Sequence, residues 1–544
     1  MTSPLYGAAS GVSAARTPAP ALSPSVARTT LTTAVLLGAS ADALMHDGPG
    51  GVGLAMWITF LAVNAAVLFA RARHAPSRQA FLWLSAAVMF SLGLAWRNSG
   101  TLQAFDFLAM LFSLGMAAIS VRDPGAALFA RRLRDTLLTG IDAAANVAFG
   151  VLPLTFREAL TSESGGKALS HFRAFVRPAL IAGAALLIFG ALLRDADPIF
   201  ASWINIPFDF ATIASHVVVT GFFAWVVAGW ARGSLAENVT PRRSTASLPI
   251  QLGAADITAA LGTLSVLFAA FVASQIGWLF GGEKFLQART GLTAASYARQ
   301  GFFQMVWVVT LVVPILVGTR AALAPAGGRT LARRHTLLSL PVVALLGAII
   351  VSAMLRMKMY VHYYGLTTER FYPAVFMLWL ATVIVWLAIT VLRDWGRPFA
   401  GGAVLSALTF LAALNVVDPD AIVAGVNVSR ATRVAPGTEP ALDLEHLATL
   451  GGGGMPAAVD AVVNANVANP TGATPNPAIV HRCLAARILV GRWGPQSGPR
   501  RHAERTGGWR YWNADDAVAF RAFDAHSAEL QNFANDGCAP ADPH

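Results

Sequence analysis

Charged residues are scarce in this chain, and their scarcity decides which class of protein it belongs to. They make up 13% of its 544 residues, whereas hydrophobic residues make up 55%. A soluble globular protein carries about 25% charged residues. So little charge cannot cover a water-soluble body of this size, and the mean hydropathy of +0.56 agrees with this. We therefore predict an all-α polytopic membrane protein whose surface is mostly solvated by lipid.

Cysteine is also nearly absent, since only Cys483 and Cys538 occur, both after the last long apolar run. Disulfides persist in oxidising compartments. The pair is therefore a candidate disulfide and a hint that its segment lies outside the cytoplasm. The chain has no paired-cysteine motif, no H-E-x-x-H, no G-x-S-x-G and no Walker loop, so we expect no metal and no cofactor.

Long apolar runs are what the chain does contain. A helix that crosses a bilayer needs about 20 mostly apolar residues. Such runs predict about eleven spans within a transmembrane domain over residues 29–416. Residues 1–28, rich in Ala, Ser, Thr and Pro, are typical of a disordered tail. The runs lie near residues 31–46, 51–70, 79–96, 102–121, 178–193, 208–230, 256–278, 301–319, 336–355, 372–392 and 399–416.

The pattern changes after residue 416, where apolar runs shorten and acids mix with bases. Four stretches there have helical periodicity. We predict a small soluble helical domain over residues 417–544, with Gly451 to Gly454 as a flexible break between two of its helices. The periodic stretches are residues 441–450, 456–466, 477–489 and 514–533.

Positive charge concentrates in alternate loops between the apolar runs, within a net charge of +11. Cytoplasmic loops of membrane proteins carry an excess of Lys and Arg. We therefore place the N-terminus in the cytoplasm and, for an odd number of spans, the C-terminus outside. Anionic lipid is the expected partner of this charge, and nucleic acid is not, because no basic face carries interleaved aromatics. The basic loops include Arg71, Arg73 and Arg78; Arg122, Arg131, Arg132 and Arg134; Arg232, Arg242 and Arg243; Arg320, Arg329, Arg333 and Arg334; and Arg393 and Arg397.

Several polar residues fall towards the outer ends of the predicted spans. Ionisable groups in spans are costly and usually face a protein interior or a water-filled cavity. We predict a shared outward-facing polar cavity in which Asp106 and Asp209 pair with Arg299 or Arg356. The alternative is that these helix ends reach the interface, where charge costs little. The candidate cavity residues are Asp106, Asp209, Gln275, Arg299, Gln304, Arg356, His362 and Arg370.

Four ordered segments between about residues 190 and 450 resemble a known family. They read LLRDADPIFASW, GLTAASYARQGFFQ, YYGLTTERFY and NVVDPDAIVAGVNVSRA, at residues 192–203, 291–304, 363–372 and 415–431. They are similar to blocks of bacterial membrane proteins grouped as domain of unknown function 4173. The resemblance implies many spans, a short helical tail and a place in the bacterial cytoplasmic membrane, but no chemistry. The chain departs from the family pattern at Gln304, where members have an acid.

Three functions stay open at this point. The first is transport or permeation of a small solute or a lipid-linked molecule, which rests on the number of spans and the predicted cavity. The second is an enzyme acting on lipid-linked or cell-envelope substrates, with Asp42, His46 and Asp47 as general base or metal ligands. The third is a sensor or assembly scaffold whose outer domain binds a protein partner that the sequence does not identify. His216, nearer to mid-span, is either a packing residue, a ligand or a proton relay.

Overall fold

The structure is a computed structural model, and every described element in it is helical. Its description covers residues 22–46, 48, 50–72, 78–122, 143–159, 182–183, 189, 210–235, 251–290, 302–390, 398–433, 442–465, 477–495 and 508–535. These residues contain no strand, only one isolated bridge between Leu252 and Leu323. The predicted all-α class is thereby confirmed.

Nine described helices are long and apolar enough to cross a membrane. Nine of the eleven predicted runs fall on them. The run at 31–46 also forms a helix, α1 (Pro24–Met45), which is less apolar than the nine and begins inside the predicted tail. The run at 178–193 lies almost wholly outside the described residues. The nine are α2 (Gly51–Arg71), α3 (Arg78–Trp96), α4 (Gly100–Arg122), α5 (Phe210–Leu235), α6 (Ala254–Thr290), α7 (Phe302–Ala321), α8 (Gly328–Tyr364), α9 (Thr368–Thr390) and α10 (Phe399–Val417).

The described membrane helices form two bundles joined by α10. One apolar core runs through α1 to α5 and another through α6 to α9. Helix α10 packs against α3 and α4 on one side and α9 on the other. Between α4 and α5 the chain also has a short helical stretch, residues 143–159, which ends in a π-helical segment, Leu154–Ala159.

Small side chains bring α1 and α5 close together. Ala34 and Ala41 are almost completely buried on α1. A Cβ at Gly38, between them, would lie 2.9 Å from the Cβ of Ala224 on α5. Within a bilayer, where helices gain little from the hydrophobic effect, this close approach lets van der Waals packing hold two helices together. The contact fixes the C-terminal turn of α1 against the first turns of α5.

After α10 the chain forms a separate helical core. Trp493 and Phe523 lie at its centre with no solvent exposure. Burial of a side chain such as Phe523 contributes about 1.5–3 kcal/mol. The helices around this core are α11 (Pro419–Arg433), α12 (Leu444–Thr449), α13 (Met455–Val463), α14 (Pro477–Trp493), α15 (Ala514–Ala525) and α16 (Ser527–Asn535).

This C-terminal region lies against one end of the membrane bundles. Arg510 donates to the carbonyl of Ala43 near the end of α1, and the amide of Val52 donates to the carbonyl of Trp512. The α3–α4 and α8–α9 connections also contact it. Helices α2, α5 and α7 run away from this end and carry Arg71, Arg232 and Arg320 in their last turns. The two ends of the bundles thus differ: the C-terminal region covers one, and three helices end at the other with an Arg in the last turn.

Candidate functional site

A buried polar junction joins the membrane bundles to the C-terminal region, and Arg97 is at its centre. Arg97 lies in the three-residue connection between α3 and α4. Its Nη1 is 2.8 Å from Asp418 Oδ2 and 2.9 Å from Asp515 Oδ1, while Nε donates to the carbonyl of Asn415. All three charged side chains are at most 13% exposed. Charge pairs so poorly hydrated need each partner, because a buried charge left alone costs several kcal/mol.

Local backbone structure holds the acids of the junction in place. Asp418 separates α10 from α11 in a positive-φ conformation (φ 59°) and accepts from the amide of Ala421. Asn513 caps α15 by accepting from the amides of Asp515 and Asp516, and its own amide group donates to the carbonyl of Arg97. Asp515 also accepts from the amide of Asn98. These ion pairs and hydrogen bonds therefore attach Asp418 and Asp515 to the α3–α4 connection.

The four glycines at 451–454 pack against these acids. A Cβ at Gly453 would overlap the carboxylate of Asp418, and one at Gly452 would lie 2.6 Å from the carbonyl oxygen of Asp515. The predicted flexible break is therefore wrong about this segment, which is a 3-10 turn with no room for side chains. Burial, followed by the nearby charge of Asp418, raises the pKa of Asp420 to about 6. Burial also raises the pKa of Asp515.

Below the junction, Asp106 and Asn415 form a buried pair between α4 and α10. The amide nitrogen of Asn415 donates to Asp106 Oδ1 over 2.8 Å. Asp106 Oδ2 and Asn415 Oδ1 have no hydrogen-bond partner among the described residues. Both atoms would lie within 3 Å of a Cβ at Gly93, so only glycine fits there. Asp106, the first candidate cavity residue, thus contacts Asn415.

Gln275 and Arg356 are brought together elsewhere, between α6 and α8. Arg356 donates to Gln275 Oε1, which also accepts from Ser352 over 3.3 Å. Gln304 is exposed at the start of α7, and His362 is exposed near the end of α8. The described candidates thus lie at several separate places. Asp209 and Arg299 lie outside the described residues, so the shared polar cavity that included them stays a prediction.

Arg370 contacts the end of α8. Its guanidinium donates to the carbonyls of Tyr364 and Gly365 at the end of α8, and stacks 4.2 Å above the ring of Tyr360. The following turn is clamped by Asn427 of α11. Its side chain exchanges two hydrogen bonds with the backbone of Leu366, at 2.7 and 2.8 Å. Two of the four family-like segments therefore contact each other directly.

An apolar cavity of about 730 Å³ lies between the two bundles, among the residues that the structure describes. Helices α4, α7, α9 and α10 line it, and its lining is almost entirely hydrocarbon. At its domain-side end the hydroxyl of Tyr372 is 3.0 Å from Ser99 Oγ in the α3–α4 connection. The lining includes Phe105, Leu108, Ala109, Phe112, Phe303, Val306, Trp307, Tyr372, Phe376, Trp379, Val404, Ala407, Leu408, Leu411 and Leu414.

A cluster of two histidines and one aspartate lies where α1 meets α5. Asp42 Oδ1 is 2.8 Å from His46 Nδ1, and Asp42 Oδ2 is 2.7 Å from His216 Nδ1. All three residues are candidates from the sequence, but in separate regions of it, because His216 is 174 residues from Asp42. Asp47, the third residue of the predicted enzyme site, lies outside the described part of the chain.

Cys483 is buried on α14, and its sulfur lies 3.6 Å from the carbonyl oxygen of Ala534 on α16. Cys538 lies outside the described residues, four positions further along the chain than Ala534. The position of Cys483 beside the end of α16 supports the predicted disulfide, which stays a prediction.

One family model matches residues 84–461, which is more than half of the chain, and its description is Domain of unknown function (DUF4153). The match begins within α3 and ends within α13, so it includes α4 to α12 and the cavity between the bundles. The resemblance to domain of unknown function 4173 is not confirmed. No curated protein and no solved structure matches the chain.

Proposed function

Because the chain belongs to the DUF4153 family, whose description names no activity, we propose its function from its geometry. The protein binds the apolar chain of a lipid or lipid-linked molecule between its two helix bundles, as a step in moving that molecule or presenting it to the C-terminal domain. The apolar cavity carries this proposal. It narrows the transport hypothesis from any small solute to a lipid-linked one.

The size and lining of the cavity support an apolar ligand. Its volume of about 730 Å³ falls within the range of roughly 300–1,000 Å³ that ligand pockets occupy. Aromatic side chains such as Phe105 and Trp307 are about half or more exposed along it. An acyl or isoprenoid chain that enters from the bilayer gains van der Waals contacts with this lining rather than a hydrophobic transfer free energy, because lipid tails are as apolar as the side chains.

A small polar solute is a poorer match for the described residues. Asp106 has no solvent exposure, and Gln275 and Arg356 are at most 6% exposed. None of these three lines the apolar cavity. Polar groups meet the cavity instead at its domain-side end, where Tyr372 bonds to Ser99 and Leu414 precedes Asn415. An amphipathic ligand would place its chain in the cavity and its head group towards the domain.

Filling the cavity tests the proposal. Ala407 lines the cavity, whereas Ala269 on α6 is exposed and does not. The full-length protein and its Ala407→Trp and Ala269→Trp variants are purified in mild detergent, and lipid per protein is quantified by mass spectrometry. We expect the parent and Ala269→Trp to retain about one equivalent of one lipid class, and Ala407→Trp to retain several-fold less. Equal retention by all three monodisperse proteins would refute the proposal.

A membrane-embedded enzyme is the second candidate, and one observation favours it. The cluster of Asp42, His46 and His216 combines a carboxylate with two imidazoles at the domain-side end of the bundles, which are the groups of acid–base or metal-assisted hydrolysis. Such an enzyme would hold the lipid chain in the cavity while the cluster acts on a head group. Hydrolysis of an added lipid-linked substrate that stops in His216→Ala would favour this candidate over transport.

The orientation of the protein is part of the same proposal. The Arg-rich helix ends are expected in the cytoplasm, which puts the C-terminal domain outside the cell membrane. Ala528 on α16 and Ala326 before α8 are both exposed, at opposite ends of the bundles. With a membrane-impermeant thiol reagent, we expect Ala528→Cys to be labelled in intact cells and Ala326→Cys only after permeabilisation. The reverse labelling pattern would place the C-terminal domain in the cytoplasm.

A further inference from the structure

The cluster of Asp42, His46 and His216 is built from two helices that the sequence does not relate. Asp42 and His46 lie four residues apart on α1, so both side chains leave the same face of the helix. His216 comes from the second turn of α5, which the small-residue contact around Gly38 holds against α1. The two imidazole rings stack 3.9 Å apart at an angle of 22°. One ligand atom from each residue lies within 4.8 Å of the other two.

One tautomer of His46 presents its Nδ1 as a metal ligand. Ser215 Oγ lies 2.7 Å from the carbonyl oxygen of Thr212 and 3.3 Å from His46 Nε2, so a proton on Nε2 has a hydrogen-bond acceptor beside it. A neutral imidazole carries one N–H. With that proton on Nε2, the bare Nδ1 lone pair would face Asp42 Oδ1 at 2.8 Å, and two acceptors would repel each other. A metal ion bound by Nδ1 and the carboxylate replaces that repulsion with two coordinate bonds.

The second imidazole favours the metal. His216 Nδ1 approaches the other oxygen of the same carboxylate. One divalent ion would accept the Nδ1 lone pairs of both stacked rings and bind the same carboxylate. We infer that Asp42, His46 and His216 bind a divalent transition-metal ion, of which Zn²⁺ suits the ligands best.

The geometry fits that ion. Zinc binds imidazole nitrogen and carboxylate oxygen at about 2.0–2.2 Å, and three protein ligands with one open position make up its catalytic sites. The nitrogen–oxygen separations of 2.7 and 2.8 Å need to widen by only about half an ångström to admit it at those bond lengths. His216 is 46% exposed, which gives the ion a way in. Ser215 orients His46 through its second nitrogen, as outer partners of zinc-bound histidines do.

Zinc binding to the full-length protein in detergent tests the inference. After chelation and dialysis, Zn²⁺ is titrated and bound metal is measured by elemental analysis and calorimetry. We expect one tight equivalent for the parent and at least a tenfold weaker affinity for His46→Ala, His216→Ala and Asp42→Asn. Ser215→Ala, which removes only the orienting partner, should weaken binding about tenfold. The control is His481→Ala, because His481 forms an exposed pair with Glu445 at 2.7 Å without a second imidazole.

A second measurement keeps the test independent of misfolding. Metal that binds only the folded state raises the unfolding temperature. Zn²⁺ should therefore raise the unfolding temperature of the parent and of His481→Ala. It should not raise that of the His46→Ala/His216→Ala double variant, whose elution volume in size-exclusion chromatography should equal the parent's and so show that it is folded. Less than stoichiometric binding by the parent, or full binding by the double variant, would overturn the inference and leave a proton-sharing cluster. Neither result bears on lipid retention in the cavity.

Discussion

The junction around Arg97 and the apolar cavity lie side by side, and Tyr372 belongs to both. In the junction, Asp418 and Asp515 share the guanidinium of Arg97, and glycines leave no space between backbone and carboxylate. In the cavity, large aromatic side chains line an open volume of about 730 Å³. Close packing and satisfied polar groups mark the part that fixes the domain to the bundles. Open apolar space marks the part that is available to a ligand.

Removing Arg97 should produce the largest loss of stability. Arg97→Met keeps the length of the side chain but leaves Asp418 and Asp515 buried without their cation. Breaking a buried pair in this way costs about 3–5 kcal/mol. Thermal unfolding and proteolysis of the C-terminal domain should both reveal it, while Arg521→Met on the exposed face of α15 changes neither. If the two variants unfold alike, the junction does not hold the domain.

The pH dependence of stability should be the next largest effect. The pKa of Asp420 rises from its ordinary 3.8 to about 6 in the folded protein. The folded state thus holds the proton more tightly than the unfolded chain, so this group's contribution is full below pH 4 and is lost as the pH rises through 6. The loss is at most about 3 kcal/mol.

Asp420→Asn should remove that loss. The difference in unfolding temperature, variant minus parent, is expected to grow between pH 4 and pH 7. Asp460→Asn, on the exposed side of α13, is the matched control and should show no such trend. If the difference in unfolding temperature for Asp420→Asn does not change with pH, burial does not raise the pKa of Asp420.

Adding one methyl group to the junction should lower the free energy of unfolding by less than the pH effect at Asp420, but by more than adding carbon atoms in the cavity. Gly453→Ala places a Cβ on the carboxylate of Asp418, and such overpacking costs about 1–3 kcal/mol. Gly491→Ala, within α14 and facing open space, should instead stabilise by about 0.5–1 kcal/mol. Denaturant unfolding of the two variants measures both signs. A stable Gly453→Ala would mean that the turn has room to move.

The smallest effect is expected in the cavity itself. Ala407→Leu adds three carbon atoms where space already exists, so stability should change by no more than about 0.5 kcal/mol. The measurement is thermal unfolding of lipid-depleted protein, in parallel with Gly453→Ala. A destabilisation as large as that of Gly453→Ala would remove the contrast between a sealed junction and an open cavity.

Local pattern was enough for the helices but not for the contacts between them. The apolar runs near 51–70 and 79–96 predicted α2 and α3 closely, because a bilayer fixes the length of a span. Arg97, which the predicted site omitted, had one local signal: it is a lone Arg in a three-residue connection between two apolar runs. Its partner Asp515 is 418 residues away, beyond the reach of any periodicity.

The sequence by itself determined that lipid surrounds most of the protein, that the fold is helical, and in which order the spans follow. These depend on composition and on the period of apolar residues, which act over a few helical turns. Only the tertiary structure decided that Gly451 to Gly454 form a packed turn, that Asp106 meets Asn415, and that His216 joins Asp42 and His46. Each of these depends on how closely two distant helices approach, and that distance is set by small side chains such as Gly38 and Gly93, which carry no chemical signal of their own.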